Sequence, residues 1–329
     1  MTKYSNNLID NFPDYLFNKI NQQKLALRQS GEDVIDLGYG NPDIPSHELV
    51  VEKLIESAQI KKNHKYSVSK GIHGLRNAIA NKYLREYKIN LDPAKNIVNT
   101  IGSKEGLTHL LMSVLNKGDN VVVQDPSYPI HHYAPLIAGA NVIKIECLSS
   151  ENFLNNLNIT LTSQKVKAVL VSFPHNPTTL TVNQEFYDEL VNLARRYNFL
   201  IINDFAYSDI YFNEEKPPSL LNSDPQFDHT VELYSLTKGY SMAGWRVGFA
   251  VGNESAISSL TKLKSYIDYG TFQPIQIAST VAINELDDYP KEVSSIYQDR
   301  KILAEEYLTK YGFEAVSYTH LTLPTKWIV

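Results

Sequence analysis

The chain has 329 residues, 43% of them apolar and 20% charged, which is enough apolar material for a sizeable core and argues against disorder. Its net charge of −5 excludes a general electrostatic pull toward nucleic acid or anionic membrane. The single cysteine, Cys147, excludes an internal disulfide and a four-thiolate zinc site. No apolar leader opens the sequence and no run of about 18 apolar residues occurs, so a soluble, reduced, cytoplasmic protein is expected.

Residues 1–36 read as a polar arm with weak helical periodicity over 16–27. The arm leads through Val34-Ile35-Asp36-Leu37 into a turn-rich knot, Gly38-Tyr39-Gly40-Asn41-Pro42-Asp43. Beyond it, strand-like and helix-like segments alternate. Strands are expected at 97–101, 120–124, 142–145, 166–173, 199–203, 231–236 and 247–251. Several are unbroken apolar or β-branched runs, as strands covered on both faces require. Helices are expected between them, notably at 104–115, 183–197 and 254–266, and two long helices over 274–311. The alternation predicts an α/β fold, a mainly parallel sheet with helices on both faces. The decapeptide from Val316 to Thr325 has neither helical periodicity nor a cap. It resembles translated sequencing-library adapter, so 316–329 is expected to be a non-native scar.

Three expected strands end in polar residues. Asn176-Pro177-Thr178 follows 166–173, Asp204-Phe205-Ala206-Tyr207 follows 199–203, and Ser235-Leu236-Thr237-Lys238-Gly239 closes 231–236. In open parallel sheets the site lies beyond the carboxyl ends of the strands, so these groups are expected to share one crevice. Singly, each has a plain alternative: Asn-Pro opens turns, Asp caps helices, and a lysine before glycine sits in a solvated loop. Ser-x-x-Lys also opens a serine β-lactamase site, but the Lys-Thr-Gly and Ser-Asp-Asn partners are missing. His109, His131, His132 and His175 lack metal-ligand spacing and are expected to have surface or capping roles.

Together these stretches resemble the class I/II pyridoxal 5′-phosphate (PLP) aminotransferases of fold type I, over roughly residues 1–315. The likeness is strongest to the glutamate–pyruvate (alanine) and LL-diaminopimelate aminotransferase branch. It is carried also by Tyr66-Ser-Val-Ser-Lys-Gly71-Ile-His-Gly74-Leu-Arg76, Ile101-Gly-Ser-Lys-Glu-Gly106, Asp125-Pro-Ser-Tyr128-Pro, the lysine segment through Gly248, and Tyr266-Ile-Asp-Tyr-Gly-Thr-Phe272.

The resemblance implies a role for each matched residue. Lys238 would condense with the cofactor aldehyde and shuttle the substrate's α-proton. Asp204 would keep the pyridine nitrogen protonated, Tyr207 and Asn176 would face the ring's phenolate oxygen, and Tyr128 would stack on the ring. Ser103, Lys104, Ser235 and Arg246 would hold the phosphate at a helix N-terminus. Tyr66 would reach the phosphate of a neighbouring subunit, implying a homodimer. Gly38 and Asn176 would lie against the substrate. The implied reaction moves an amino group from an L-amino acid, alanine or glutamate, to a 2-oxo acid.

The implied architecture is a three-layer α/β/α large domain at 46–285, preceded by an arm and small-domain segment at 1–45. A small domain would begin at 286–315 and remain incomplete. Family members clamp the substrate carboxylate with an arginine in the C-terminal part of that domain. No arginine follows Arg300 here, so weak cofactor binding and poor turnover are expected of this chain, with an inactive fragment as the extreme case. Two other readings share the cofactor-facing residues: a β-lyase or decarboxylase, and a cofactor-binding regulatory module. The regulatory reading lacks the basic DNA-binding helices it would need in residues 1–60.

Overall fold

The computed structural model describes residues 4, 6–10, 12–36, 40–212 and 215–313. Gly38 and the segment 316–329 lie outside the described residues. The chain divides between Asn41 and Pro42 into two compact units.

In the first unit the weak periodicity around 16–27 becomes a helix, Leu16–Gln29. Lys24 Nζ on that helix donates to Asp36 Oδ2 at 2.7 Å, so the stretch that follows is tied back to it. Residues 34–36 form no strand.

Among the described residues of the second unit, seven strands make one sheet: β1 (Ile97–Thr100), β2 (Asn120–Asp125), β3 (Asn141–Glu146), β4 (Ala168–Val171), β5 (Leu200–Asp204), β6 (Thr230–Ser235) and β7 (Gly248–Gly252). All seven fall on the expected stretches. Their spatial order is β1-β7-β6-β5-β4-β2-β3. The pairs β2–β3, β2–β4, β4–β5 and β5–β6 are parallel, and only β7 runs against its neighbours.

Alternation along the strands explains the layers. Val121, Val123, Leu170 and Ile202 pack with Leu107, Leu110, Leu111, Ile257 and Leu260 on one side of the sheet. Val122, Val169, Val171 and Ile201 pack with Phe153, Leu157, Tyr187 and Leu190 on the other. Successive residues of a strand point to opposite faces, so an unbroken apolar run feeds two cores at once. The helix Gln184–Tyr197 shows the matching helical pattern. Asn183 caps it by accepting from the Phe186 N–H at 3.1 Å. Phe186, Tyr187, Leu190, Val191 and Ala194 form its buried stripe, and Asn198 ends it in the left-handed region at φ 57°.

The two long helices expected over 274–311 are Gln273–Glu285 and Tyr289–Lys310. Pro290 opens the second, where a missing N–H costs nothing. Gln273–Glu285 packs on the helices Glu48–Gln59 and His73–Tyr87, neither of which was singled out from the sequence.

The reversed strand decides the geometry of the site. Because β7 is antiparallel to both β1 and β6, those two point the same way as β2, β3, β4 and β5. Gly248, the first residue of β7, pairs with Thr100 at the end of β1 and with Ser235 at the end of β6. An added Cβ at Gly248 would lie 2.8 Å from the Tyr234 carbonyl oxygen and 2.9 Å from both Gly102 C and Ser103 N. Only glycine fits this junction.

Candidate active site

The carboxyl ends of β4, β5 and β6 are adjacent, with Val171 paired to Asn203 and Asp204 to Leu233. The three polar stretches read from the sequence therefore open on one edge. Beyond β5, the Tyr207 hydroxyl accepts a long hydrogen bond from Asn176 Nδ2 at 3.5 Å. Beyond β6, Lys238 Nζ stands 5.6 Å from the centroid of the Tyr207 ring. Burial lowers the pKa of the Lys238 ammonium and so favours the neutral amine. Burial, with the Asp204 carboxylate and Tyr128 nearby, raises the Tyr207 phenol well above its ordinary range and keeps it protonated.

Asp204 is 7% exposed. Its Oδ2 lies 2.8 Å from His131 Nε2, and its backbone carbonyl accepts from Ser172 Oγ at 2.9 Å. Its Oδ1 is buried with no hydrogen-bond partner among the described residues. A buried carboxylate oxygen left unpaired is costly and marks where another donor would sit.

His131 corrects the expectation of a surface or capping role: it is 2% exposed and lies against the Asp204 carboxylate. His175 is equally buried, with Nδ1 2.6 Å from Thr178 Oγ1. Burial, and secondarily the charge of His131, push its pKa down to about 3, so it stays neutral. His131 follows Tyr128 by three residues, one helical turn, and the two rings meet edge to face at 5.8 Å. That spacing was the available signal. What it could not supply is the contact across 73 positions to Asp204.

The junction between β1 and the helix Ser103–Val114 forms a second polar corner. Gly102 precedes the helix at φ 78°, a conformation suited to glycine. A Cβ there would lie 2.5 Å from Arg246 Nη2, so the guanidinium rests against the bare backbone. Ser103 Oγ is buried without a partner among the described residues, and makes no capping bond. Ser235 Oγ sits at the end of β6, donating to Thr237 Oγ1 at 2.7 Å and accepting from the Thr237 N–H at 3.1 Å. Lys104 is exposed and places its Nζ 5.2 Å from the Tyr128 ring centroid, linking this corner to the loop after β2. First-turn amides have no partner within their helix and carry its positive end, so the corner is built for an anion.

Tyr66 stands apart from these groups. It is 90% exposed and stacks obliquely on Tyr269 at 5.5 Å. Among the other arginines, Arg85 pairs with Asp287 at 2.6 Å, Arg195 with Asp224 at 3.3 Å and Arg300 with Asp43 at 2.8 Å. No helix among the described residues is long and apolar enough to cross a membrane.

The sequence profile of the family described as "Aminotransferase class I and II" matches residues 32–321. The glutamate–pyruvate aminotransferase AlaC of Escherichia coli is 41% identical over 93% of this chain and 74% of its own length. An LL-diaminopimelate aminotransferase of Aquifex aeolicus is 37% identical over 92% of this chain and 79% of its own. Among solved structures, an aspartate aminotransferase from Thermotoga maritima superposes with a TM-score of 0.88 at 31% identity, covering 96% of this chain and 84% of that one. Substrate-bound BacF from a Bacillus superposes at 0.90 with 28% identity, covering 97% and 81%. The half-buried lysine, the carboxylate and the anion corner stand on one edge of a mainly parallel sheet, and the match along nine-tenths of the chain makes it a member of the class I and II aminotransferases.

Proposed function

We propose that the chain acts with PLP, moving the amino group of alanine or glutamate to a 2-oxo acid. The observation that carries this is the unpartnered, buried Asp204 Oδ1, on the strand next to the one that delivers Lys238. The residues present fit the cofactor in three places. Asp204 offers a carboxylate oxygen for a protonated pyridine nitrogen, Tyr128 offers a ring face, and the corner of Gly102, Ser103, Ser235 and Arg246 offers a cradle for a phosphate. PLP, when bound, supplies an electron sink that stabilises negative charge at the amino acid's α-carbon.

The chain's own residues do the rest. Lys238 Nζ, favoured neutral by burial, would serve as the base that takes the substrate's α-proton and as the acid that gives it back. His131 orients Asp204 through Oδ2, and the unpartnered Oδ1 would hold the protonated pyridine nitrogen. Tyr207 keeps its proton and would donate it in a hydrogen bond to the ring oxygen, with Asn176 aligning its hydroxyl. We further propose a homodimer in which Tyr66 reaches the neighbouring cradle, supported by its 90% exposure at the surface. Residues 46–285 are proposed to be the cofactor-binding body. Cytoplasmic location is supported by the single, buried Cys147.

The test is trapping. The purified chain is incubated with PLP, reduced with borohydride and digested, and its peptides are weighed. Cofactor mass on the peptide carrying Lys238, absent from Lys238→Ala, is the expected result. Label spread over surface lysines and unchanged by Lys238→Ala would overturn the assignment. Amino-group transfer from alanine to 2-oxoglutarate by the same preparation tests the donor.

A further inference from the structure

The helix that opens the anion corner carries an ion cluster on its first two turns. Glu105 Oε2 accepts the Ile101 N–H at 2.6 Å, from the turn just before Gly102. Glu105 Oε1 lies 3.0 Å from Lys264 Nζ, which also donates to Asp268 Oδ2 at 2.7 Å. Lys264 is completely buried, whereas the two carboxylates are 17% and 13% exposed. His109 Nδ1 completes the group, 2.5 Å from Glu105 Oε1 and 3.9 Å from Asp268 Oδ2. The donor atoms of Glu105, His109 and Asp268 lie within 4.8 Å of one another, a spacing that suits a cation, and the Lys264 ammonium is a cation already bonded to two of them.

The cluster is fastened to the corner from a second direction. Asp268 Oδ1 accepts the Gly270 N–H at 2.7 Å. Next to it Thr271 Oγ1 donates to Asn99 Oδ1 at 2.9 Å, and Asn99 Nδ2 donates to the Gly248 carbonyl at 2.8 Å. Both flanks of the anion corner, the Ile101–Gly102 turn and the start of β7, are thus tied to the turn at 268–271.

Two acidic groups beside an anion seat are unfavourable unless their charge is balanced. We propose that Lys264, with Glu105 and Asp268, is a positioning unit for the phosphate cradle. Lys264 holds one oxygen of Glu105 so that the other takes the Ile101 amide, which sets the turn whose next amides face the phosphate. Its charge also offsets the carboxylates that would otherwise repel that phosphate. The inference rests on the cradle reading above and names residues outside it.

Calorimetric titration of the full chain with PLP, and with pyridoxal, which lacks the phosphate, separates the two ideas. The parent is expected to prefer PLP. Lys264→Met is expected to lose about tenfold in PLP affinity while pyridoxal binding changes less than twofold, and adding Glu105→Gln should recover most of the loss. Glu105→Gln alone leaves one carbonyl oxygen for the Ile101 amide and turns its amide N–H toward the Lys264 ammonium, so it should lose about threefold or more in PLP affinity with pyridoxal less affected. A parent without preference for PLP overturns the cradle reading. A parent that prefers PLP, with Lys264→Met retaining that preference or losing both ligands alike, overturns the positioning role. If Lys264→Met does not fold, a Glu105→Gln variant that binds PLP as tightly as the parent serves as the same refutation.

Discussion

Gly248→Ala is a one-carbon change at the point where three backbone segments meet. The added Cβ would stand 2.8 Å from the Tyr234 carbonyl and 2.9 Å from Gly102 C and Ser103 N, where ordinary contact begins at 3.4 Å. Relief therefore needs roughly half an ångström of separation, and all three obstacles are backbone rather than pliable side chains. Tyr234 belongs to β6, bonded into the sheet on both edges, so it yields little. The Gly102–Ser103 turn is the softer wall and is expected to move. Overpacking of this kind costs about 1–3 kcal/mol. Urea unfolding should show that loss in the midpoint with an unchanged slope. Because the yielding wall is the proposed phosphate seat, PLP affinity should fall by about tenfold or more, with pyridoxal less affected. A variant that unfolds at the parental midpoint and binds PLP as tightly would refute the reasoning, since the junction would then have room it is not thought to have.

Glu232 on β6 is buried, and burial pushes its carboxyl up to about 7 against hydrogen bonds from Tyr83, Asn203, Ser219 and the Leu220 N–H. Below pH about 4.5 both folded and unfolded chains hold this proton; between there and 7 the folded chain alone does. The Glu232 contribution is therefore complete at the acid end and lost as pH rises through 7, on the order of 3 kcal/mol. Urea midpoints across that range for the parent and Glu232→Gln should differ in slope; parallel profiles would sink this. Lys82, buried between Glu86 at 2.7 Å and Asp209 at 3.3 Å, lies under the Lys238 turn, since a Cβ at Gly239 would meet the Asp209 Cβ. Lys82→Met should cost about 3–5 kcal/mol by stranding Asp209, with partial recovery on adding Asp209→Asn, both read by unfolding midpoints. If Tyr66 serves the neighbouring subunit, Tyr66→Ala should leave the unfolding midpoint within about 0.5 kcal/mol of the parent. Mixing it with Lys238→Ala should then restore PLP trapping that neither variant shows at full level alone, and a mixture no better than the sum of its parts would rule out the shared site.

Much of the site was legible because its chemistry sits next to strand ends that announce themselves. The runs at 166–173 and 199–203 are largely apolar, 231–236 is apolar apart from Glu232 and Ser235, and polar residues follow each within a few positions. Asn176, Asp204, Tyr207 and Lys238 could therefore be assigned to one edge before any coordinates. His131 and His175 were misjudged for the converse reason. Nothing near them in sequence distinguishes a histidine on the surface from one buried against a carboxylate, and the partner of His131 is 73 residues away.

What the amino-acid order determined by itself is local: where strands and helices begin, which residues stand at their ends, and hence that an α/β sheet would carry a polar edge. Which ends become neighbours is a property of the sheet order alone. Reversing β7 between β1 and β6 brings Gly248 against Gly102 and Ser103, and joins the anion corner to the strand that delivers Lys238. The Lys264 cluster and the Asp204–His131 pair have the same origin. Their members are far apart along the chain, and only burial by the packed helices makes their charges strong enough to matter.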